Sequence, residues 1–355
     1  MTHPQLNRRA RIAVVGAGLI GRRHIKHVDA HAQLHAVVDP AQEACDLAAG
    51  YQVPHFSHLE TLLASNPPDG VIIATPTPMH FDNAMACIAS GIPALIEKPI
   101  TGDATEAQAL ITAAAQAAVP LLVGHHRRYN PIIWQAKQII ESGRLGKLIT
   151  TNAMCWLYKP DAYFYPSWRR EKGAGPILTN LIHDVDLLRY LCGEVAFVQA
   201  VHSSAHRGFD IEDTAAILLG FANGVLGTIT LSDTVVAPWS WELTAGENRA
   251  YPQTNQSAYL IGGTRGSLSL PDLGIWHNGD TPGWWQPISR ESMPIAAGDP
   301  ASDPLVLQLQ HFCAVIAGTA TPLVSGAEGL ATLRVIEAIV DAADKHSRID
   351  LPTGY

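Results

Sequence analysis

The first 125 residues alternate short apolar runs with longer segments in which apolar positions recur at helical spacing. The runs are continuously apolar, which is typical of strands buried on both faces of a parallel sheet. Because parallel strands need helical crossovers, the pattern predicts a doubly wound α/β domain. The predicted strands are Arg11–Val15, Leu34–Asp39, Gly70–Ala74, Ala94–Glu97 and Leu121–Gly124, and the predicted helices include Leu19–His31, Pro78–Ser90 and Asp103–Ala118.

After residue 125 the predicted strands become longer and more polar. They run over Leu148–Tyr158, Val195–His206, Asp213–Phe221 and Val225–Asp233, and Asn223-Gly224 is a strong hairpin signal between the last two. We expect a C-terminal α+β domain with an open, mostly antiparallel sheet. Its predicted helices are Pro131–Ser142, Gly173–Cys192, Pro304–Gly318 and Gly326–His346, with strands and irregular loops over Pro252–Pro304. The predicted domains are residues 1–125 and 126–355.

Composition excludes several classes of protein. The chain has 355 residues, of which 47% are hydrophobic, so it is neither disordered nor collagen-like. A net charge of −8 argues against a nucleic-acid partner, since nucleic-acid binders are usually basic. The longest charge-free stretch, 107–124, is interrupted by Gln and Pro, and the N-terminus lacks the long apolar core of a secretory signal. We therefore expect a cytoplasmic protein without membrane spans. Five scattered cysteines give no disulfide framework.

A glycine-rich turn follows the first predicted strand. In VVGAGLIG, Gly16, Gly18 and Gly21 fit the GxGxxG pattern at the start of a helix. The first glycine permits the tight turn, the second lets a pyrophosphate approach the backbone, and the third lets helix and strand pack closely. The free N–H groups of the helix N-terminus, around Leu19 and Ile20, attract the anion. This context predicts a dinucleotide-binding Rossmann domain; the alternative is a Rossmann fold without a ligand.

Asp39 ends the second predicted strand, 18 residues after Gly21. A carboxylate at this place suits the ribose 2′-hydroxyl of NAD and repels the 2′-phosphate of NADP. No arginine follows closely, although Arg22 and Arg23 of the first helix could reach a phosphate. The sequence therefore predicts NAD in preference to NADP.

Lys98 lies in ALIEKPI, at the carboxyl end of a buried strand. Ligands of open parallel sheets bind beyond these strand ends. A partly desolvated lysine can exchange a proton with a substrate hydroxyl or carbonyl. The alternative is a surface lysine paired with Glu97.

The GxGxxG turn, the EKP tripeptide and a later histidine helix resemble the glucose–fructose oxidoreductase, inositol dehydrogenase and MocA family. The resemblance covers most of the chain. It implies a Rossmann domain, a C-terminal α/β domain whose sheet forms a homodimer or homotetramer interface, and NAD(P)-dependent oxidation or reduction of sugars, cyclitols or related diols. It also implies that Lys98 is catalytic. Cofactor contacts are implied for Thr75, Pro76, His80, Glu97 and Lys98; a polar contact at the helix start is the alternative for His80.

The segment Gly173–Gly193 resembles the family's second signature, a helix with an aspartate and, four residues later, a histidine. His183 matches the histidine, and we predict that it is a general acid or base, for which the imidazole pKa of about 6.5 is suited. Thr179 stands where the family has aspartate, so the usual carboxylate–histidine–lysine arrangement is not reproduced. Asp184 and Asp186 lie on different sides of the helix, so at most one supports His183.

Other polar and aromatic residues are candidates for substrate binding. Aromatic rings with polar tips suit a sugar or diol pocket, and they suit a subunit interface equally well. Those near the domain junction could instead hydrogen-bond the hinge. His24, His27 and His31 share a helix face, but no carboxylate or cysteine is placed by the sequence to complete a metal site, and none is expected. The predicted substrate-binding residues are Lys98, Arg127, Tyr129, Asn130, Trp156, Trp168, Thr179, Asn180 and His183.

These observations favour an NAD-dependent oxidoreductase that acts on a polyol or sugar-like small molecule, with Lys98 and His183 handling the proton. Two alternatives stay open. One is a redox-neutral enzyme that uses bound NAD transiently while it eliminates a group. The other is a non-catalytic protein that senses NAD or a sugar.

Overall fold

In the computed structural model, which describes residues 9–279, 282–294 and 303–352, the chain forms two compact units. The first comprises Met1–His126 and Ala301–Leu333, and the second comprises Arg127–Pro300 and Arg334–Tyr355. The N-terminal segment 1–8, examined above for a secretory signal, lies outside the described residues. So do 280–281 and 295–302 of the predicted strand-and-loop stretch, and 353–355.

The first unit is built on six parallel strands in the order β3-β2-β1-β4-β5-β6, which confirms the doubly wound prediction. The strand order reverses between β1 and β4, and such a reversal opens a crevice at the carboxyl ends of the strands. The elements are β1 (Arg11–Val15), α1 (Leu19–His31), β2 (Gln33–Val38), α2 (Gln42–Gly50), β3 (His55–Phe56), α3 (Leu59–Ser65), β4 (Gly70–Ile73), α4 (His80–Ala89), β5 (Ala94–Ile96), α5 (Ala104–Ala117) and β6 (Leu121–Val123).

The second unit is built on a mixed sheet of nine described strands in the order β14-β13-β12-β11-β7-β10-β9-β8-β15. Only the β7–β10 pair is parallel among the pairings in this part of the structure. Its elements are α6 (Pro131–Glu141), β7 (Leu148–Trp156), α7 (Ile182–Cys192), β8 (Val195–Ser203), β9 (Thr214–Phe221), β10 (Leu226–Ser232), α8 (Trp241–Thr244), β11 (Tyr259–Gly263), β12 (Ser267–Leu270), β13 (Gly274–His277), β14 (Ser289–Ser292) and β15 (Ile349–Asp350). Two more helices lie between β14 and β15: α9 (Pro304–Ile316), which belongs to the first unit, and α10 (Gly326–Lys345), whose residues from Arg334 onward belong to the second.

One face of the second sheet carries the core of its unit. Alternate side chains of the central strands, such as Ala153, Ile217 and Ile229, are buried against α6, α7 and α10. The mostly antiparallel sheet is thus confirmed. The hairpin predicted at Asn223-Gly224 is also confirmed: β9 and β10 pair antiparallel, and Gly224 adopts a φ of +88°, which favours glycine.

The structure corrects the predicted second domain, 126–355, at its C-terminal side. Helix α9 belongs to the first unit, because Leu309, Phe312 and Val315 join the core that β1 and α1 form. Gly70 of β4 leaves the space that this helix fills: a Cβ there would lie 2.5 Å from Ile316 Cδ1 and 3.0 Å from Phe312 Cζ. The sequence of an amphipathic helix shows which face is apolar, but it does not show which element covers that face. For this reason the sequence does not predict that α9 packs on the first unit.

The predicted helix Gly173–Cys192 is also corrected. Its first turn, Ile177–Leu181, is a π-helix, and the α-helical part begins at Ile182. π-helical turns inside helices are rare and often occur at functional sites. Here the wide turn directly precedes His183.

Candidate functional site

The glycine turn joins β1 to α1 in the first unit. Gly16 has a φ of +95°, and a Cβ there would lie 2.5 Å from the Ala74 carbonyl oxygen. A Cβ on Gly21 would overlap the carbonyl oxygen of Gly16. Gly18 differs, because a Cβ there would meet no protein atom within 4 Å. The fold itself therefore requires two of these glycines, whereas the third faces open space.

A cavity of about 530 Å³ lies beside this turn. Asp39 lines this cavity and hydrogen-bonds the backbone on two sides. Its Oδ2 accepts the N–H of Ala17 at 2.7 Å, and its Oδ1 accepts the N–H of Ala41 at 2.9 Å. A carboxylate accepts about four hydrogen bonds, so capacity for a ligand hydroxyl remains. The lining residues are Ala17, Gly18, Leu19, Arg22, Asp39, Ala41, Glu43 and Ala44. The predicted contacts Leu19 and Asp39 lie here, whereas Ile20 is not among the lining residues.

Thr75, Pro76 and His80 follow β4 at the same edge of the sheet. Thr75 Oγ1 is buried and has no hydrogen-bond partner among the described residues. Pro76 precedes a short 3-10 turn, Thr77–Met79, and α4 then begins with His80. His80 is buried, with Nδ1 2.8 Å from the Pro99 carbonyl oxygen and Nε2 2.9 Å from that of Thr75. These contacts match the alternative given for His80, a polar contact at the helix start.

Lys98 is the second residue after β5 and is half-buried, and the peptide bond to Pro99 is cis. The preceding Glu97 is buried, and its Oε1 lies 2.7 Å from His24 Nε2 of α1. Burial by itself raises the pKa of Glu97. The hydrogen bond to His24 and the charge of that histidine lower the pKa by more than burial raises it, and the charges of His126 and Lys98 act in the same direction. The resulting pKa is about 2. Glu97 is therefore an anion that a buried histidine holds in place, and the charge of Lys98 also favours its ionised form.

In the second unit, the histidine helix presents His183 at 9% exposure. Thr179 Oγ1 donates to the carbonyl oxygen of Gly175 at 2.9 Å and to Asn180 Oδ1 at 3.1 Å. The hydroxyl proton of Thr179 is thus shared between two acceptors within four residues of it in the chain. One of these acceptors is the side-chain amide oxygen of Asn180, and the side chains of Thr179 and Asn180 are both partly exposed.

The two aspartates of this helix are buried and face arginines. Asp186 accepts two hydrogen bonds from Arg128, at 2.7 and 2.8 Å. Asp184 Oδ1 lies 3.3 Å from Arg127 Nη1 and accepts the Tyr259 hydroxyl. Burial raises the pKa of Asp184 to about 6 against the pull of the arginine. Both carboxylates thus hold helix α7 to neighbouring elements.

The polar run after β6 contains three predicted substrate-binding residues, Arg127, Tyr129 and Asn130. Arg127 is buried and also donates to Glu242 Oε1 at 2.5 Å. Asn130 caps α6 through the N–H of Ile132, at 2.9 Å, and donates to Glu247 at 2.9 Å. Burial raises the pKa of Tyr129 well above its ordinary value. These contacts of Arg127 and Asn130 all lie within the second unit, and their contact with substrate stays a prediction.

The aromatic candidates are less enclosed. Trp156 Nε1 donates to Thr230 Oγ1 at 3.0 Å, and its ring meets Trp239 edge-on at 5.6 Å. Trp168 is 56% exposed, with the Arg169 guanidinium 5.1 Å from its ring. Either surface can stack against a sugar ring or a protein partner.

Sequence reasoning missed His24 and Glu43 as site residues. The sequence offers His24 only as a candidate metal ligand, because nothing local shows that it contacts Glu97, 73 positions away. Glu43 lies in the first turn of α2, four residues after Asp39, and this position is the signal that the sequence offers. Over the described residues, no group of three or more His, Cys, Asp or Glu side chains is arranged to hold a metal. No helix in this part of the chain has the length and apolar character of a membrane span.

Two family models match the chain. One, described as "Oxidoreductase family, NAD-binding Rossmann fold", matches residues 10–125. The other, described as "GFO/IDH/MocA C-terminal domain", matches residues 133–269. The matched residues contain the glycine turn, Lys98 and the histidine helix.

Known proteins agree with these models. UDP-N-acetylglucosamine 3-dehydrogenase of Acidithiobacillus ferrooxidans is 32% identical over 237 residues, which cover 64% of this chain and 68% of that protein. Inositol 2-dehydrogenase of Rhizobium meliloti is 25% identical over 362 residues, covering 96% and 99%. The solved structure of the Acidithiobacillus enzyme superposes with a TM-score of 0.74 at 26% identity, over 95% of this chain and 98% of that one. The chain therefore belongs to the GFO/IDH/MocA family of oxidoreductases with an NAD-binding Rossmann fold.

Proposed function

We propose that this protein transfers a hydride between NAD and a hydroxyl-bearing carbon of a sugar, a cyclitol or a related cyclic diol. The observation that carries the proposal is the position of Lys98. It follows β5 at the carboxyl edge of the parallel sheet, the edge that also bears the glycine turn after β1. The relatives named above act on inositol and on UDP-N-acetylglucosamine, and this supports a polyol or sugar-like substrate.

The residues of the first unit fit NAD. Gly18 leaves free space where a pyrophosphate approaches the backbone, although the fold does not need a glycine there. Asp39 and Glu43 place two carboxylates on the neighbouring cavity, which suits ribose hydroxyls and opposes a 2′-phosphate. The unpartnered Thr75 hydroxyl supplies a further polar contact. When bound, NAD accepts or donates the hydride; the protein supplies binding, orientation and electrostatics.

We assign Lys98 to the substrate hydroxyl. An alcohol carbon that gives up a hydride must also lose its hydroxyl proton, and the reverse reaction returns both. A lysine side chain at this strand end hydrogen-bonds the hydroxyl oxygen, orients it and stabilises negative charge that develops on it. Half-burial of Lys98 beside the fixed anion Glu97 strengthens such interactions relative to bulk water.

We assign the transfer of that proton to His183 as general acid or base. The imidazole is the side chain best suited to accept and return a proton near neutral pH. Arg128 and Arg127 hold Asp186 and Asp184 of the same helix. Because these buried pairs fix α7, they also fix the position of His183 within the second unit. Substrate contacts of Tyr129, Trp156, Trp168 and Asn180 stay predictions.

Thr179 favours a second candidate function. The family's aspartate is replaced by a hydroxyl that bonds within its own segment, so no carboxylate at this position supports His183. A protein that binds NAD and a sugar without turnover, as a sensor, would tolerate this change. A redox-neutral enzyme that uses NAD transiently is distinguished from both because it converts its substrate without net formation of NADH.

The outer face of the second sheet suits association between copies of the chain. Val201, Leu226 and Leu260 on three of its strands are 58%, 51% and 47% exposed. Exposed apolar groups on one surface often mark an interface. We expect a cytoplasmic homodimer or homotetramer, and sedimentation of the purified protein measures the assembly directly.

The function is tested by following NADH absorbance with cyclitols, aldoses, keto-sugars and cyclic diols, in both directions. We expect turnover with one chemical class and NAD in preference to NADP. Lys98→Met should lower kcat by at least about 100-fold, the scale of a lost acid–base contribution. Lys26→Met, on the exposed side of α1, is the matched control and should keep full activity.

Three outcomes separate the candidates. Turnover that Lys98→Met and His183→Asn abolish supports the oxidoreductase. Substrate conversion without net NADH supports the redox-neutral enzyme. Binding of NADH and of a sugar without any conversion supports the sensor and contradicts the oxidoreductase.

A further inference from the structure

Two buried histidines contact the EKP segment on either side of Lys98. His24, from α1, pairs with the side chain of Glu97 at 2.7 Å. His80, from α4, lies 2.8 Å from the carbonyl oxygen of Pro99. Both histidines are buried, at 2% and 1% exposure, while Lys98 between their partners is half-buried.

The Glu97 carboxylate connects His24 to the lysine backbone. Its Oε1 faces His24, and its Oε2 accepts the N–H of Lys98 at 3.2 Å. Gly124 leaves just enough room for this group, since a Cβ there would lie 2.9 Å from Glu97 Cδ. The carboxylate is therefore enclosed, and it has little freedom to leave the lysine backbone.

His80 connects the lysine segment to the neighbouring strand end. Its second ring nitrogen lies 2.9 Å from the Thr75 carbonyl oxygen, so one ring spans the segments that follow β4 and β5. Each neutral tautomer satisfies one carbonyl, and the doubly protonated ring satisfies both. Either way, the imidazole sets the spacing between Pro99 and Thr75.

We infer that His24 and His80 are positioning residues that hold Lys98 in place for the reaction, an inference that rests on the proposed function. Apolar side chains would fill the same buried volume without the cost of burying polar groups. Directional hydrogen bonds fix the position of the backbone that carries Lys98, which apolar packing alone does not do. Displacement of a reacting group by about 1 Å can cost a factor of about 100 in rate.

Paired variants separate a hydrogen bond from packing. His24→Gln keeps a side-chain N–H that can reach Glu97, whereas His24→Leu keeps volume alone. We expect His24→Leu to lower kcat at least about 10-fold with KM for NAD and substrate changed less than about threefold, and His24→Gln to recover most of that loss. His80→Leu should behave like His24→Leu. Gly124→Ala displaces the Glu97 carboxylate without changing a histidine and should give the same pattern.

A readout without cofactor or substrate tests the anchor itself. In hydrogen exchange of the unliganded protein, followed by mass spectrometry, the segment 94–100 contains the Lys98 amide that Glu97 protects. We expect faster exchange there in His24→Leu and Gly124→Ala, near wild-type exchange in His24→Gln, and unchanged exchange in the β1 segment 11–15.

The outcomes distinguish this inference from the function on which it rests. If wild-type protein turns over but folded His24→Leu and His80→Leu keep kcat within about twofold, the inference is overturned. Unchanged exchange over 94–100 in all variants also overturns it. If wild-type protein turns over no alcohol or ketone, the proposed function fails. In that case, hydrogen exchange over residues 94–100 still shows whether His24 and His80 hold the segment that contains Lys98.

Discussion

The carboxylate of Asp39 accepts a hydrogen bond from the backbone N–H of Ala17 at 2.7 Å, joining the end of β2 to the glycine turn. This contact fixes the carboxylate on the wall of the cavity that Gly18 also lines. The carboxylate that would bind a ribose and the turn that would bind a pyrophosphate are thus hydrogen-bonded to each other within the protein. Cofactor preference follows from that arrangement.

We expect Asp39→Ser to weaken NADH affinity about 10-fold, the scale of one lost charged hydrogen bond. NADPH affinity should fall less or rise, because repulsion of the 2′-phosphate is removed. Glu43→Gln should shift the preference in the same direction by a smaller factor. Isothermal titration with both cofactors measures the ratio, and a ratio unchanged in both variants would contradict the assignment of the cavity to ribose.

Gly18 and Gly21 should respond oppositely to the same substitution. Gly18→Ala meets no protein atom, so its stability cost should stay within about 1 kcal/mol, the ordinary scale of a helix N-cap change. NADH affinity should nevertheless fall at least about 10-fold, because the new methyl group occupies the approach of the pyrophosphate.

Gly21→Ala should instead prevent stable folding, since its Cβ would overlap the Gly16 carbonyl oxygen. Thermal unfolding and NADH titration of both variants make the comparison. Equal affinity of Gly18→Ala and wild-type protein for NADH would show that the turn does not bind the cofactor.

The buried anion Glu97 predicts a dependence of stability on pH. Its pKa is about 2 in the folded protein against an ordinary value of 4.5, so the ionised form is favoured by folding. The stabilisation is complete above about pH 4.5 and is lost as the pH falls toward 2. The shift corresponds to about 3 kcal/mol.

Urea unfolding of wild-type protein and Glu97→Gln between pH 6 and pH 3 tests this. The advantage of the wild-type protein should shrink as the pH falls below about 4.5. Asp29→Asn, an exposed change on the same helix as His24, should show no such trend. A constant or growing advantage at low pH would rule out an ionised, stabilising Glu97.

The Arg128–Asp186 pair should matter for the stability of the second unit. Both side chains are buried and make two hydrogen bonds, so Asp186→Asn leaves a buried guanidinium without its anion. We expect a loss of about 3–5 kcal/mol in the free energy of unfolding. Asp341→Asn, in an exposed pair with Lys345, should cost less than about 1 kcal/mol. Similar costs for the two variants would contradict this.

The sequence predicts the elements of the first unit well because their signals are local. Continuous apolar runs mark β1, β4, β5 and β6, and the glycine turn fixes where α1 begins. The position of Lys98 at a strand end follows from the same pattern. Cofactor class could likewise be predicted, since the turn and Asp39 lie within one strand–helix–strand unit.

What the sequence could not show depends on contacts between distant residues. The His24–Glu97 pair joins residues 73 positions apart, and α9 returns to pack on α1 from beyond residue 300. The π-helical turn before His183 has no residue pattern of its own. The sequence makes Arg127 a candidate for substrate binding because it is polar and lies near the predicted domain boundary. Its carboxylate partner Asp184 becomes visible only once α7 is folded.

The most direct test supplies NADH deuterated at the transferred position, together with a mixture of keto-sugars and cyclitol ketones, to the purified protein. We predict that deuterium appears on the carbon of one newly formed hydroxyl group, as read by mass spectrometry and NMR. Lys98→Met should transfer none at the same enzyme concentration. NADH that binds without giving up deuterium to any carbonyl compound would contradict the central claim, that this protein moves a hydride to and from a hydroxyl-bearing carbon.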